Sequence, residues 1–363
     1  MRNHGHWMLA LVLLLAASFH TGCASPGGES GARAPAGRWA IAIHGGAGTL
    51  SKNASPERLA QYETAMSGAL HAGAAMLAEG RPSLDVCEAI VRRLEDDPLF
   101  NAGRGAVYTE IGTHELDASI MDGRQLACGA VAGVRTVRNP ISLARLVMER
   151  SGHVLLMSDG AEKFAEAMGV ERVPNTHFDT PERREQLERK LRERTQGSDA
   201  GFSGPGARRA DRDSIRAAKR DAYGTVGCVA LDAHGNLAAA TSTGGLTAKR
   251  FGRVGDTPII GAGCFADNRS AAVSCTGTGE EFIRHTVARD IAALVEHKGW
   301  SLERAAKFVV HERLAPDDGG IIAVSRNGEI AMVFNSEGMY RAAGDSGGKR
   351  EIGVFEATRP AKR

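Results

Sequence analysis

A charged stretch divides the hydrophobic patterning of this chain, and the segments on either side of it restrict the folds open to it. Residues 182–194 are almost entirely charged, 197–206 are rich in glycine and serine, and 208–220 add a second basic run. Such a composition buries little apolar surface, so about 181–224 reads as a solvated, mobile linker. Before it, residues 39–43 read as a short buried strand running into a glycine loop at 44–48. Helices are expected at 56–79, with Pro56 at the start, and at 84–94, with Ser83 as N-cap. A strand-like stretch, 116–137, is broken by the turn Asp122-Gly123. After the linker come strands at 225–231 and 237–243 around the turn 232–236, helices at 282–298 and 302–314, and a hairpin of 321–324 with 330–334. Strands at both ends with paired helices between them predict stacked sheets covered by helices on both outer faces.

The N-terminus stands outside this pattern. Arg2, His4 and His6 precede an apolar run over 8–17 and then small residues up to Cys23, the order of a secretory signal peptide. The run is too short to span a bilayer comfortably. Thr21-Gly22-Cys23 also resembles the end of a lipoprotein cleavage site, with His20 where such sites usually carry leucine. Residues 1–23 are therefore assigned as a signal, 24–38 as a flexible leader rich in Pro, Gly and Ser, and 39–363 as a single domain. The location implied is periplasmic or secreted, with membrane contact only through the signal or a lipid on Cys23.

Cys87, Cys128, Cys228, Cys264 and Cys275 remain after the signal and contain no C-x-x-C pair, so they read as small buried apolar side chains and specify neither a disulfide nor a metal site. The formal net charge is +2, and acidic residues interrupt the arginines of the linker, so no nucleic-acid partner is expected.

Chemistry concentrates where the linker ends. Gly224-Thr225 places a hydroxyl at the start of a strand. Inside a chain that hydroxyl is a poor nucleophile. Once the preceding bond breaks, Thr225 gains an α-amine whose ordinary pKa of about 7.7–8.0 suits a general base. Nucleophile and base then share one residue. Gly224, without a Cβ, leaves its carbonyl open to attack by the Thr225 hydroxyl. Taken alone, the same dipeptide is an ordinary strand start.

Three later loops add to it. Thr241-Ser242-Thr243-Gly244-Gly245 puts hydroxyls and open backbone at a strand end. Gly252-Arg253-Val254-Gly255-Asp256 offers a guanidinium for a carboxylate and a carboxylate for an ammonium. Residues 274–281, Ser-Cys-Thr-Gly-Thr-Gly-Glu-Glu, lead into a helix with donors suited to an oxyanion. No G-K-[ST] or upstream G-x-G-x-x-G supports a phosphate loop instead.

These segments, together with His44-Gly45-Gly46-Ala47-Gly48, Pro98-Leu99-Phe100-Asn101-Ala102-Gly103, His114-Glu115-Leu116-Asp117-Ala118 and Met121-Asp122-Gly123, form an ordered set. The set resembles the plant-type asparaginase/isoaspartyl peptidase family of N-terminal-nucleophile hydrolases, from about Trp39 to about Arg341. The resemblance implies a four-layer αββα sandwich, an α/β fold, cut between Gly224 and Thr225 into α and β chains that assemble as a dimer of αβ units. It implies Thr225 as nucleophile, Thr243 beside its hydroxyl and amine, and Thr276 with the Gly277 N–H as oxyanion hole. Arg253 would take the substrate α-carboxylate, with Asp256 and the Gly279 carbonyl on its ammonium; Val254 and Gly255 complete that loop, and Asn101 lies near the nucleophile. No cofactor serves the chemistry. A structural sodium ion would sit on the backbone carbonyls of Leu94, Glu95, Asp97, Phe100, Ala102 and Arg104, oxygen ligands being suited to a hard cation.

Two departures qualify the transfer. Arg104 stands where the family usually carries a small or apolar residue, and the linker is longer than in typical members. The substrates implied are small: isoaspartyl peptides and L-asparagine. A glycosylasparaginase using the same apparatus, and an uncleaved envelope protein binding amino acids through Arg253 and Asp256, are the alternatives.

Overall fold

The strand after the linker is the hub of the architecture, pairing with the first strand of the chain on one side and with its own hairpin partner on the other. In the computed structural model, which describes residues 37–48, 54–196 and 224–355, β5 (Val226–Leu231) lies between β1 (Ala40–Ala47) and β6 (Leu237–Thr243). The signal segment with Cys23, most of the leader and the Gly/Ser-rich and basic runs within 197–223 lie outside the described residues. The described residues all fall in one compact unit.

Around this hub an eight-stranded sheet forms. It adds β2 (Leu116–Asp122), β3 (Ala127–Val134) and β4 (Leu155–Met157) on the β6 side, and β11 (Met339–Asp345) and β12 (Arg350–Gly353) on the β1 side. The second sheet has four strands in the order β10 (Ile330–Phe334), β9 (Gly319–Ser325), β8 (Ala271–Gly277), β7 (Cys264–Ala266). All pairings are antiparallel except β3 with β4.

Strand alternation assigns the two faces. In β5, Cys228 and Ala230 join Ile41, Ile43 and the buried faces of α1 (Pro56–Ala78), α2 (Ser83–Glu95) and α3 (Pro140–Arg150). Val229 and Leu231 point the other way, toward Ala272, Ile322 and Val324 of the second sheet and the helices α7 (Val287–Lys298) and α8 (Leu302–Phe308). The layers therefore run helix, sheet, sheet, helix: the αββα sandwich. Small side chains at Ala40, Ala42, Ala239 and Ala272 fill the space between the sheets, allowing their close approach.

Several local expectations change. The strand β1 runs on through His44, Gly45 and Gly46 to Ala47, where a loop was expected; a register shift between His44 and Gly46 absorbs the irregular backbone. Ser83 is the first residue of α2, with Pro82 at the cap position, and its N–H donates to Asp232 Oδ2 at 3.0 Å. The expected helix over 282–298 is two, α6 (Gly279–His285) and α7, divided at Thr286, whose φ of 45° breaks the helical ladder.

The largest correction concerns the first part of the linker. Pro181–Thr195 is a helix, α5, capped by the Thr180 side chain accepting from the Arg183 N–H. Arg183 and Leu187 are buried. Leu187, with Leu191 beside it, packs on Tyr108 and Ala248, and Arg183 Nε donates to the Gly105 carbonyl at 2.7 Å. The long stem and planar head of an arginine let a charged residue serve as an anchor, which a count of charges does not register. A short helix, α4 (Ser158–Ala167), follows β4.

Candidate active site

Odd-numbered residues at the start of β5 face the second sheet, and Thr225 stands at the head of that row. It is 8% exposed, and its hydroxyl donates to Thr243 Oγ1 at 3.1 Å. Thr243 lies at the end of β6, with Asp117 as its cross-strand partner on β2. The Thr243 oxygen also accepts the Gly245 N–H at 3.0 Å. Both lone pairs of that oxygen are thereby directed, and its own hydrogen stays available for donation.

Asn101 braces this turn. Its Nδ2 donates to the Gly245 carbonyl at 2.9 Å, its Oδ1 accepts the Val107 N–H at 2.9 Å, and its carbonyl accepts the Gly244 N–H at 3.1 Å. It acts on the site through the Gly244-Gly245 backbone.

Gly224 precedes Thr225 with φ of 157°, and Gly46 of β1, at φ 115°, lies against it. A Cβ added to Gly46 would stand 2.5 Å from the Gly224 α-carbon. The two glycines therefore permit the close approach of the β1 backbone to the Gly224–Thr225 bond.

Thr276, on β8, faces the same space. Its oxygen accepts the Ala47 N–H at 3.2 Å, which leaves the hydroxyl hydrogen free to turn toward a developing anion. The Gly277 backbone is wedged against Asp318 and Gly319; a Cβ there would meet the Asp318 carbonyl oxygen at 2.0 Å. The Thr278 N–H donates to that same carbonyl at 2.7 Å, fixing the loop.

Arg253, Asp256 and Gly279 converge. A Cβ on Gly279 would lie 2.7 Å from Arg253 Nη2 and 3.0 Å from Asp256 Oδ1, and one on Gly255 would lie 2.8 Å from Arg253 Nη1. Val254 sits half-buried between them. Arg253 is already engaged by a residue that the sequence reading passed over: Glu280 accepts from its Nε and Nη2, each at 2.9 Å. Burial pulls the guanidinium pKa down, but this fork and the charges of Glu280, Asp256 and Asp117 outweigh it and hold the pKa raised. Asp256 is fully desolvated, which pushes its carboxyl up to about 7 against the opposing pull of Arg253. Its Oδ2 is buried with no hydrogen-bond partner, as a group awaiting a cation would be.

Two further buried residues lie near these groups: Lys249 beside Arg253, and His44 beside Thr225. Lys249 is buried, donates to the Glu115 carbonyl at 2.8 Å, and has its pKa lowered by burial against the pull of Asp117 and Glu115. His44 Nδ1 meets the Thr225 carbonyl oxygen at 2.9 Å. The only sequence signal for His44 was its place in the glycine run.

The carbonyls proposed for sodium run from the last turn of α2, at Leu94 and Glu95, into the loop that follows it. A Cβ on Gly103 would meet the Glu95 carbonyl at 2.3 Å, and one on Gly105 the Phe100 carbonyl at 2.1 Å. Two glycines thus let the backbone pack closely against these carbonyls. Arg104 lies between them in a short 3-10 turn with its side chain exposed. Among the described residues no cluster of His, Cys, Asp and Glu has metal-site geometry.

The family model described as asparaginase matches residues 37–354. An isoaspartyl peptidase of Salmonella typhimurium is 52% identical over 318 residues, covering 87% of this chain and 98% of its own length. An isoaspartyl peptidase of Escherichia coli is 50% identical, covering 88% and 97% respectively. The human isoaspartyl peptidase/L-asparaginase is 41% identical over 86% of this chain and 95% of itself. The match spans both sheets and every residue gathered between them, and the chain belongs to the asparaginase family.

Proposed function

We propose that this chain is an amidohydrolase that cleaves itself between Gly224 and Thr225 and then hydrolyses isoaspartyl peptides and L-asparagine, releasing L-aspartate. The observation that carries the reading is the Thr225–Thr243 hydroxyl contact, placed between an oxyanion-type donor at Thr276 and the Arg253/Asp256 clamp. Self-cleavage begins with attack of Thr225 Oγ on the Gly224 carbonyl carbon. An N-to-O acyl shift gives an ester, and water releases an α chain ending at Gly224 and a β chain beginning at Thr225. The new α-amine then serves as base to its own hydroxyl.

In the mature enzyme Thr225 Oγ attacks the substrate side-chain amide carbon. The Thr276 hydroxyl and Gly277 N–H take the oxyanion, ammonia or an amine departs with the proton, and water hydrolyses the acyl-enzyme. Arg253 holds the α-carboxylate, and Asp256 with the Gly279 carbonyl holds the α-ammonium. Sodium on the carbonyls of Leu94, Glu95, Asp97, Phe100, Ala102 and Arg104 would brace the loop carrying Asn101. The periplasmic or secreted location, a lipid on Cys23 and a dimer of αβ units belong to the same proposal, on the strength of the leader sequence and the family resemblance.

The names of the relatives, isoaspartyl peptidase and isoaspartyl peptidase/L-asparaginase, favour these substrates over a glycosylated asparagine. The test measures ammonia from L-asparagine, aspartate from a β-aspartyl dipeptide and aspartate from a glycosylated asparagine. Turnover of the first two supports the reading. Turnover of the third alone, or binding of amino acids without turnover, overturns it.

A further inference from the structure

His44 belongs to no step above, yet it is wholly buried and carries two short hydrogen bonds. Its Nδ1 lies 2.9 Å from the Thr225 carbonyl oxygen and its Nε2 lies 2.8 Å from Ser274 Oγ. Ser274 Oγ in turn lies 2.8 Å from Thr241 Oγ1. These four residues come from β1, β8, β6 and the head of β5, and all face the space between the sheets.

The hydrogens in this row can be assigned from chemistry. A carbonyl oxygen only accepts, so Nδ1 must carry a hydrogen. Burial lowers the imidazole pKa to about 3, opposed only by the bond to Thr225, so the ring is neutral and Nε2 is bare. Ser274 must then donate to Nε2. Having spent its one hydrogen, Ser274 accepts from Thr241 at 2.8 Å, the shorter of the two contacts open to that hydroxyl hydrogen, the other being 3.2 Å to the Gly263 carbonyl. The row is directed from Thr241 through Ser274 and His44 into the Thr225 carbonyl.

Gly227, a member of the Gly224–Gly227 motif without a chemical task, gives this row its room. A Cβ there would stand 2.0 Å from Ser274 Oγ and 2.4 Å from His44 Nε2. Any side chain at 227 would displace the central bond of the relay.

We propose that His44, locked in its Nδ1–H tautomer by Ser274 and Thr241, is a positioning residue that anchors Thr225 by its carbonyl once the bond to Gly224 is cut. This rests on the reading of Thr225 as nucleophile. A new chain terminus loses its upstream covalent tether and tends to fray. With the carbonyl held by His44 and the hydroxyl held by Thr243, the amine and Oγ of residue 225 stay in register with the clamp. Preorganisation of this kind acts on the chemical step and leaves substrate affinity alone.

The tautomer is read by nitrogen-15 NMR of the histidine rings, with the His44 signals assigned by their loss in His44→Asn. It is recorded on wild type and on Thr225→Ala, which keeps the residue-225 carbonyl whether or not the chain is cut. The expected result is a protonated Nδ1 and a bare Nε2, unchanged between about pH 5 and pH 9. In cleaved protein, Ser274→Ala is expected to mix the two tautomers and lower kcat roughly tenfold with KM unchanged, while Ser274→Thr restores both. An Nε2–H tautomer, a ring that titrates in that range, or a Ser274→Ala enzyme with normal tautomer and normal kcat would overturn the proposal. If Thr225 were not the nucleophile, wild type would stay a single chain while the ring signals kept their pattern, so the two failures are distinct.

Discussion

Gly46 and Gly224 touch backbone to backbone: a methyl group on Gly46 would lie 2.5 Å from the Gly224 α-carbon. The contact joins the first strand of the chain to the residue whose carbonyl the proposed self-cleavage attacks. Gly46 also sits at φ 115°, a conformation that L side chains rarely adopt. Replacement by alanine adds both a clash and strain of about 1–3 kcal/mol. Gly46→Ala is expected to slow self-cleavage by at least about tenfold, seen as persistence of the full-length band on a denaturing gel over time. Cleavage at the wild-type rate would remove this contact from the account.

Asp256 supplies a pH dependence with a definite sign. Its carboxyl is raised to about 7 in the folded protein, chiefly by burial, against about 3.9 in an unfolded chain. Between those values the folded state binds more protons than the unfolded one, so this group's contribution to stability falls as pH rises. Holding a substrate ammonium requires the ionised form. KM should therefore fall as pH rises through about 7, and Asp256→Asn should raise KM and abolish that limb. A KM profile identical in wild type and Asp256→Asn would contradict the assignment.

Arg253 is expected to act in affinity. Its fork is shared with Glu280, whose two carboxylate oxygens each accept at 2.9 Å. Lysine keeps the charge and loses the planar fork. With a charge-assisted hydrogen bond contributing about 1.5–3 kcal/mol, Arg253→Lys should raise KM by roughly 10- to 100-fold. Self-cleavage, which involves no substrate carboxylate, should proceed normally. Steady-state kinetics on the cleaved variant separates these outcomes, and loss of cleavage together with affinity would count against a role confined to the clamp.

The legibility of this protein in its sequence followed the range of the interactions. The hairpin of β5 and β6 was plain because alternation and the turn at 232–236 are local. The ordered motifs pointed to Thr225, Thr243, Arg253, Asp256 and Thr276 because each sits at a strand end or in a glycine turn. Pairings across long separations were not visible. Nothing in the sequence said that Glu280 would occupy Arg253, or that Ala47 would donate to Thr276. The helix α5 was hidden by its charges, although Thr180-Pro181 is a helix start and Arg183, Leu187 and Leu191 lie on one face at intervals of four. The break at Thr286 was invisible for another reason: a left-handed residue that is not glycine leaves no mark on periodicity.

The central claim concerns one peptide bond. Purified protein run on a denaturing gel, with N-terminal sequencing of each band, tests it directly. The expected result is two chains, the smaller beginning Thr-Val-Gly-Cys from Thr225, and a single uncut chain for Thr225→Ala with no hydrolase activity. A wild-type protein that remains one chain while active, or a new terminus at any residue other than Thr225, would contradict the account.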